Sequence, residues 1–168
     1  RTPACVSATI RCAPGPSEAP ADLPVRARLV IGADGRGSKV RKSAGITCFS
    51  GGYGQTAIVA TVIHAQDHGG IAEEYFLPAG PFAILPLSDL PDGRHRSSLV
   101  WTETEAAAAA LLSLEDAAFD SHLRSRFGDH LGQVATDGPR WSYPLGYQHA
   151  DRYVDQRLAL AGDSAHGI

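Results

Sequence analysis

The chain has 168 residues, 43% of them hydrophobic, and a formal net charge of −3. That composition supports a packed core and excludes a disordered polypeptide. The charge disfavours nucleic acid or an anionic membrane surface as the main partner, and no apolar run reaches the ~20 residues that span a bilayer. Pro3 to Ile10 alternates as a strand, and Ala13 to Pro24, rich in proline, reads as a loop. Val25 to Ala33 reads as a strand, and its end is apolar on both faces, as expected of a parallel strand covered on both sides. It opens onto Asp34-Gly35. Ser38 then caps a short helix that Gly45 stops, and this strand, turn and helix N-terminus form an expected anion cradle.

From Gly51 the texture changes. Strands are predicted over Gln55–His64, Ile71–Leu77, Phe82–Leu87 and Ser97–Thr102, joined by turns at Gly69-Gly70, Pro78–Pro81 and Pro91–Gly93. Short turns between successive strands argue for an antiparallel sheet. Glu105–Leu112 is an alanine-rich helix. Ser113 with Asp116 reads as a capping box for a second helix, running to Phe127 and ended by Gly128. Trp141–Leu145 is a strand leading back towards Leu158–Ala161, an apolar strand that opens onto Gly162-Asp163. Phe82, Ile84, Pro86, Leu99 and Trp101 fall on one face, either sheet core or a wall for an aromatic ring.

Two apolar strands, far apart in sequence, thus each end in an acidic residue beside glycine. In α/β folds ligands sit at such carboxyl ends, so Asp34 and Asp163 are expected to wall one cofactor site. Residues 1–48 and 150–168 read as pieces of a nucleotide-binding α/β domain, and residues 49–149 as an inserted antiparallel sheet with helices. The start at Arg1 and the stop just after Asp163 read as a fragment cut at both ends.

The other reactive residue types are less informative. Cys5, Cys12 and Cys48 lack C-x-x-C spacing and are expected to be reduced, buried or half-buried thiols in a cytosolic compartment. The seven histidines show no metal-ligand spacing, so no metal is expected. Ser164 and His166 lack the G-x-S-x-G setting of a nucleophile elbow.

The segment Arg28-Leu-Val-Ile-Gly-Ala-Asp34-Gly35-Arg36-Gly-Ser38-Lys-Val-Arg41 resembles the DG motif of single-component FAD-dependent aromatic hydroxylases, with Asp34, Gly35, Ser38 and Arg41 at the motif positions. Arg157 to His166 resembles their GD motif. Tyr75–Asp89 and Ser98–Trp101 look most like the ubiquinone-biosynthesis branch. The family's N-terminal G-x-G-x-x-G turn is absent from the chain.

The resemblance implies an α+β, p-hydroxybenzoate-hydroxylase-like fold: an incomplete Rossmann-like FAD domain (1–48, 150–168) with an inserted substrate domain (49–149). It implies FAD as cofactor and NAD(P)H as co-substrate. It implies O₂-dependent hydroxylation of an aromatic, polyprenylated phenol through a flavin C4a-hydroperoxide, in the cytoplasm or peripherally at the inner membrane face, where a ubiquinone-biosynthesis complex is a candidate partner. The residues expected at the cofactor are Asp163 and Gly162 (ribityl contact), Asp34, Gly35, Ser38, Arg41 (charge towards the pyrophosphate) and His166. No residue stands out as a catalytic base. The alternatives are another FAD oxidoreductase acting on prenyl substrates, as reductase or oxidase, or a non-catalytic fragment.

Overall fold

The computed structural model describes residues 4–11 and 22–168. The Cys12 expectation and most of the Ala13–Pro24 loop lie outside the described residues. The chain divides into two compact units, Arg1–Gly51 with Tyr147–Ile168, and Gly52–Gly146.

The first unit opens with an antiparallel hairpin, β1 (Val6–Arg11) and β2 (Asp22–Ala27). The expected strand Val25–Ala33 is therefore two strands. The chain leaves the hairpin at Arg28-Leu29 and enters β3 (Val30–Gly32). β3 lies parallel to β11 (Leu158–Leu160), which also pairs antiparallel with β10 (Val154–Asp155). Ile31 is 62% exposed, so one face of β3 is uncovered, against the expectation of cover on both sides. The other face packs on α1 (Lys39–Ser43) through a small core of Ile46, Leu158, Leu160, Ala150 and Ala165, flanked by Val40 and Tyr153. Of the cysteines, Cys5 is half-buried and accepts a hydrogen bond from Arg26 Nη2 at 3.2 Å, whereas Cys48 is exposed, contrary to expectation.

The second unit is built on an antiparallel sheet. β4 (Cys48–His64) enters it from the first unit, and β5 (Glu73–Leu77), β6 (Gly80–Pro86), β7 (His95–Thr104) and β8 (Val134–Thr136) lie within it. β9 (Trp141–Ala150) returns the chain, and the order is β9-β4-β7-β6-β5 with β8 also on β4. Register aligns Ile58 and Phe82 with Trp101, and Ala60 and Ile84 with Leu99. Side chains in such rows share one face. α2 (Glu105–Leu112) and α3 (Asp116–Phe127) belong to the same core, where Phe119, Leu123 and Phe127 recur at i, i+4, i+8. Phe82, Ile84, Leu99 and Trp101 are at most 2% exposed. This apolar row is core, and the reading of it as a substrate wall is withdrawn. Ser113 Oγ donates to Ala110 O and ends α2 rather than capping α3, whose N-cap is Glu115 without a side-chain cap bond.

One buried histidine makes this unit acid-sensitive. His64 Nδ1 donates to Gln66 O at 2.8 Å, and Nε2 lies 2.9 Å from the hydroxyl of the fully buried Ser97. Burial lowers the His64 pKa; the Gln66 carbonyl and Asp89 oppose this, and His68 and His95 reinforce it. Because the folded value lies below the unfolded one, the unfolded chain binds more protons as pH falls below about 6.5. Stability is therefore full above that value and is lost towards the folded pKa. The urea midpoint should fall between pH 7.5 and 5.5, and His64→Gln should flatten that dependence. An equally steep fall in the variant would remove His64 as its cause.

Candidate functional site

The two motifs meet in the first unit because their strands are neighbours. Parallel pairing sets Leu160 beside Gly32, and Ala161 N donates to Gly32 O at 2.9 Å. Gly32 is required by packing: a Cβ there would lie 2.9 Å from both Leu160 Cδ2 and Val40 Cγ1. Beyond the strands the chain turns at Gly35 (φ +78°) and at Gly162 (φ +58°), conformations that favour glycine.

The Asp34 carboxylate is committed to the turn. Oδ1 accepts from Ser38 Oγ at 2.5 Å, and Oδ2 accepts from the amides of Lys39 and Val40 at 2.7 and 3.1 Å. Ser38 Oγ accepts from Arg41 N at 2.9 Å. The expected anion cradle is thus filled by the chain's own oxygens, since a helix N-terminus has only a few unpaired amides to offer. Burial pushes the Asp34 carboxyl pKa up. The Ser38 hydroxyl and the amides of Val40, Asp34 itself and Lys39 outweigh it and hold the group below its ordinary value. Ser38 is fully buried, so its role is internal and not contact with a ligand. Ser38→Ala should cost about 1–2 kcal/mol in urea unfolding, the upper range for a lost N-cap; an unchanged midpoint would deny that the cap holds this turn.

Arg41 departs most from expectation. It is 3% exposed and points inward. Nη1 donates to Ser164 O at 2.7 Å and Nη2 to Arg36 O at 2.6 Å. One guanidinium fork therefore ties the Asp34 turn to the Asp163 turn and is not available as surface charge for a pyrophosphate.

Sequence reasoning missed two further ties. Gln148 Nε2 lies 3.1 Å from Arg36 O and 3.4 Å from Asp163 O. Nothing in the local sequence marks Gln148, which reaches the site through the pairing of β9 with β12 (His166–Gly167). Ser164 is fully buried; its hydroxyl donates to Gly32 O and accepts from Ala161 N at 3.1 Å. A small hydroxyl residue directly after a strand and a tight turn was the available signal. These bonds commit Ser164 to structure and exclude it as a nucleophile.

Asp163 stands apart. It lies in the single 3-10 turn Gly162–Ser164, is exposed, and among the described residues its carboxylate accepts no hydrogen bond. A Cβ placed on Gly35, Gly37 or Gly162 would meet no atom within 4 Å, so the backbone is open to close approach. His166 is exposed, with its ring stacked on Tyr153 at 5.6 Å between centroids. The arrangement offers an exposed, unengaged carboxylate beside open backbone.

Residues 6–168 match the family model for the FAD binding domain. The chain is 60% identical over 144 residues to ubiquinone hydroxylase UbiL of Rhodospirillum rubrum, an alignment covering 86% of this chain and 32% of that protein. It is 38% identical over 144 residues to 3-demethoxyubiquinol 3-hydroxylase of Escherichia coli, covering 86% and 35% of the two chains. The chain thus spans about a third of the length of the curated relatives it matches. Among solved structures, p-nitrophenol 4-monooxygenase PnpA of Pseudomonas putida superposes with a TM-score of 0.63 at 21% identity, covering 99% of this chain and 40% of that one. That likeness establishes the fold, an α+β, p-hydroxybenzoate-hydroxylase-like arrangement.

Proposed function

This chain belongs to the FAD binding domain family, and from that premise we propose that it is the ribityl-binding and substrate-facing part of an FAD-dependent monooxygenase that hydroxylates a polyprenylated ubiquinone precursor. The observation that carries the reading is the unengaged Asp163 carboxylate, held beside open backbone by a turn that Arg41 and Gln148 lock to the Asp34 turn. Names of relatives that act on ubiquinone or demethoxyubiquinol support the substrate class.

When bound, reduced FAD supplies the activation of O₂ for transfer of one oxygen atom to the ring, with NAD(P)H as the source of electrons. The chain's own residues bind and orient. Asp163 accepts a hydrogen bond from a ribityl hydroxyl. Gly35, Gly37 and Gly162 let the cofactor lie close to the backbone. Asp34, Ser38 and Arg41 keep both turns in place, and His166 borders the site.

In this reading residues 1–48 and 150–168 serve the cofactor and 49–149 the substrate. The sheet face opposite the helices carries a half-buried row, Val59–Val100–Ala83, aligned by register. An aromatic ring laid there would rest on apolar side chains. Among the described residues no helix is long and apolar enough to cross a membrane. A prenyl tail partitions into lipid, so the reading places the protein peripherally at the inner membrane face.

The test is turnover of the FAD-loaded, full-length protein with a demethoxyubiquinol substrate, NAD(P)H and isotopically labelled O₂. Label in the new ring hydroxyl is the expected result. Substrate oxidation or reduction without label would replace the hydroxylase reading by another flavin chemistry.

A further inference from the structure

The strand pair that follows the Asp163 turn has two unlike faces. β12 has only two residues, and it joins β9 with His166 opposite His149 and Gly167 opposite Gln148. Residues directly opposite share a face, and neighbours along a strand alternate. One face therefore carries Gln148 and Gly167, and it meets the Asp34 turn. Gln148 Nε2 reaches Arg36 O and Asp163 O, and a Cβ on Gly167 would lie 3.0 Å from Arg36 Nε. The opposite face carries His149 and His166.

On that face four rings, Phe49, His149, Tyr153 and His166, follow one another in contact. Phe49 stacks on His149 with centroids 5.2 Å apart. Tyr153 lies 5.1 Å from His149 and 5.6 Å from His166, with its plane 21° from that of the His166 ring. Tyr153 itself is anchored. Its side chain packs against the small core that holds Leu158 and Leu160. Its hydroxyl lies 2.7 Å from His149 Nε2, and His149 Nδ1 donates to Ala150 O at 3.0 Å. The His166 ring, by contrast, makes no hydrogen bond among the described residues. Its contacts are with Tyr153 and His149, the second at 6.4 Å between centroids.

We propose, on the reading that Asp163 meets the flavin, that Tyr153 is a positioning residue which acts on Asp163 through His166. Ala150 N donates to Ala165 O at 2.8 Å, so the chain is pinned to β9 directly after the turn. A strand as short as β12 has few ladder bonds to hold it, and the ring contacts fix where the turn ends. Arg41 and Gln148 hold carbonyls of the turn, and Tyr153 holds the strand that leaves it. A carboxylate that bonds no protein group has its direction set by such supporting contacts.

The test is a double-mutant cycle on FAD affinity in the full-length protein, read by quenching of flavin fluorescence. Tyr153→Leu should weaken FAD about tenfold, the scale of coupling between residues of one network. Tyr153→Phe keeps the ring stack and should stay within about threefold of the unaltered protein. In an Asp163→Ala background Tyr153→Leu should cost less than about twofold, because the carboxylate it positions is gone. Equal losses in both backgrounds would overturn the proposal, since a general loosening of the fold does not depend on Asp163. Unchanged affinity in Tyr153→Leu would overturn it as well. His166→Ala removes the exposed end of the ring series and repeats the cycle if Tyr153→Leu fails to fold. Unchanged affinity in Asp163→Ala alone would remove the flavin reading itself, and the positioning role with it.

Discussion

Asp163→Ala weakens FAD binding about ten- to a hundredfold while leaving the urea midpoint where it was. The two halves of this expectation come from one observation: the carboxylate makes no hydrogen bond to the described protein and therefore holds nothing in the fold together. A hydrogen bond between a charged acceptor and a ribityl hydroxyl is worth about 1.5–3 kcal/mol, and each 1.4 kcal/mol is about tenfold in affinity. Asp163→Asn keeps an acceptor without the charge and should fall between the two. Titration of the apoprotein by quenching of flavin fluorescence, paired with urea unfolding, measures both quantities. Wild-type affinity in Asp163→Ala would remove the residue from the site, and a large loss of stability would mean that it caps the turn instead.

Arg41→Leu gives the opposite signature, with stability and FAD affinity falling together. The Arg36 carbonyl keeps Gln148 as a donor, but the Ser164 carbonyl is left without one. An orphaned buried acceptor costs about 1–3 kcal/mol, and the void left by the side chain adds to that. The Asp163 turn then loses one of its ties to the Asp34 turn, with Gln148 still bridging Arg36 O and Asp163 O, so the affinity loss is indirect. Arg41→Lys should rescue little, because one ammonium cannot reproduce a planar fork that reaches two carbonyls. Full rescue by lysine would show that charge, and not the two-armed geometry, is what the position needs. The stability arm separates a positioning role for Arg41 from a contact role for Asp163.

Much of the fold was legible because local signals and tertiary packing agree. Ser38 caps α1, Gly45 and Gly128 follow helix ends with positive φ, and the spacing of Phe119, Leu123 and Phe127 marks the buried face of α3. Agreement fails where long-range pairing decides. Val25–Ala33 reads as one strand, yet its halves pair with different partners, β1 and β11. Gly51, Gly52 and Gly54 look like a break, but β4 runs through them alongside β9. Ser113 has the spacing of a capping box, but its hydroxyl serves the preceding helix.

At the site, residue types were readable and their directions were not. Asp34, Ser38 and Arg41 stand out in the sequence, but only the fold shows that they bond one another and the Asp163 turn. A sequence cannot reveal that an arginine spends its fork on carbonyls of two distant turns, nor that a helix N-terminus is already occupied by an upstream aspartate. Gln148 carried no signal, because its partners are brought to it by β9 and β12 alone.

The proposed function requires the ends of β3 and β11 to form one flavin-binding surface. Amide shifts recorded while FAD is titrated into the isotope-labelled protein test it most directly. Residues 32–38 and 161–166 should be perturbed and should saturate together with a single affinity. Shifts confined to one of the two turns, or centred elsewhere in the chain, would contradict it.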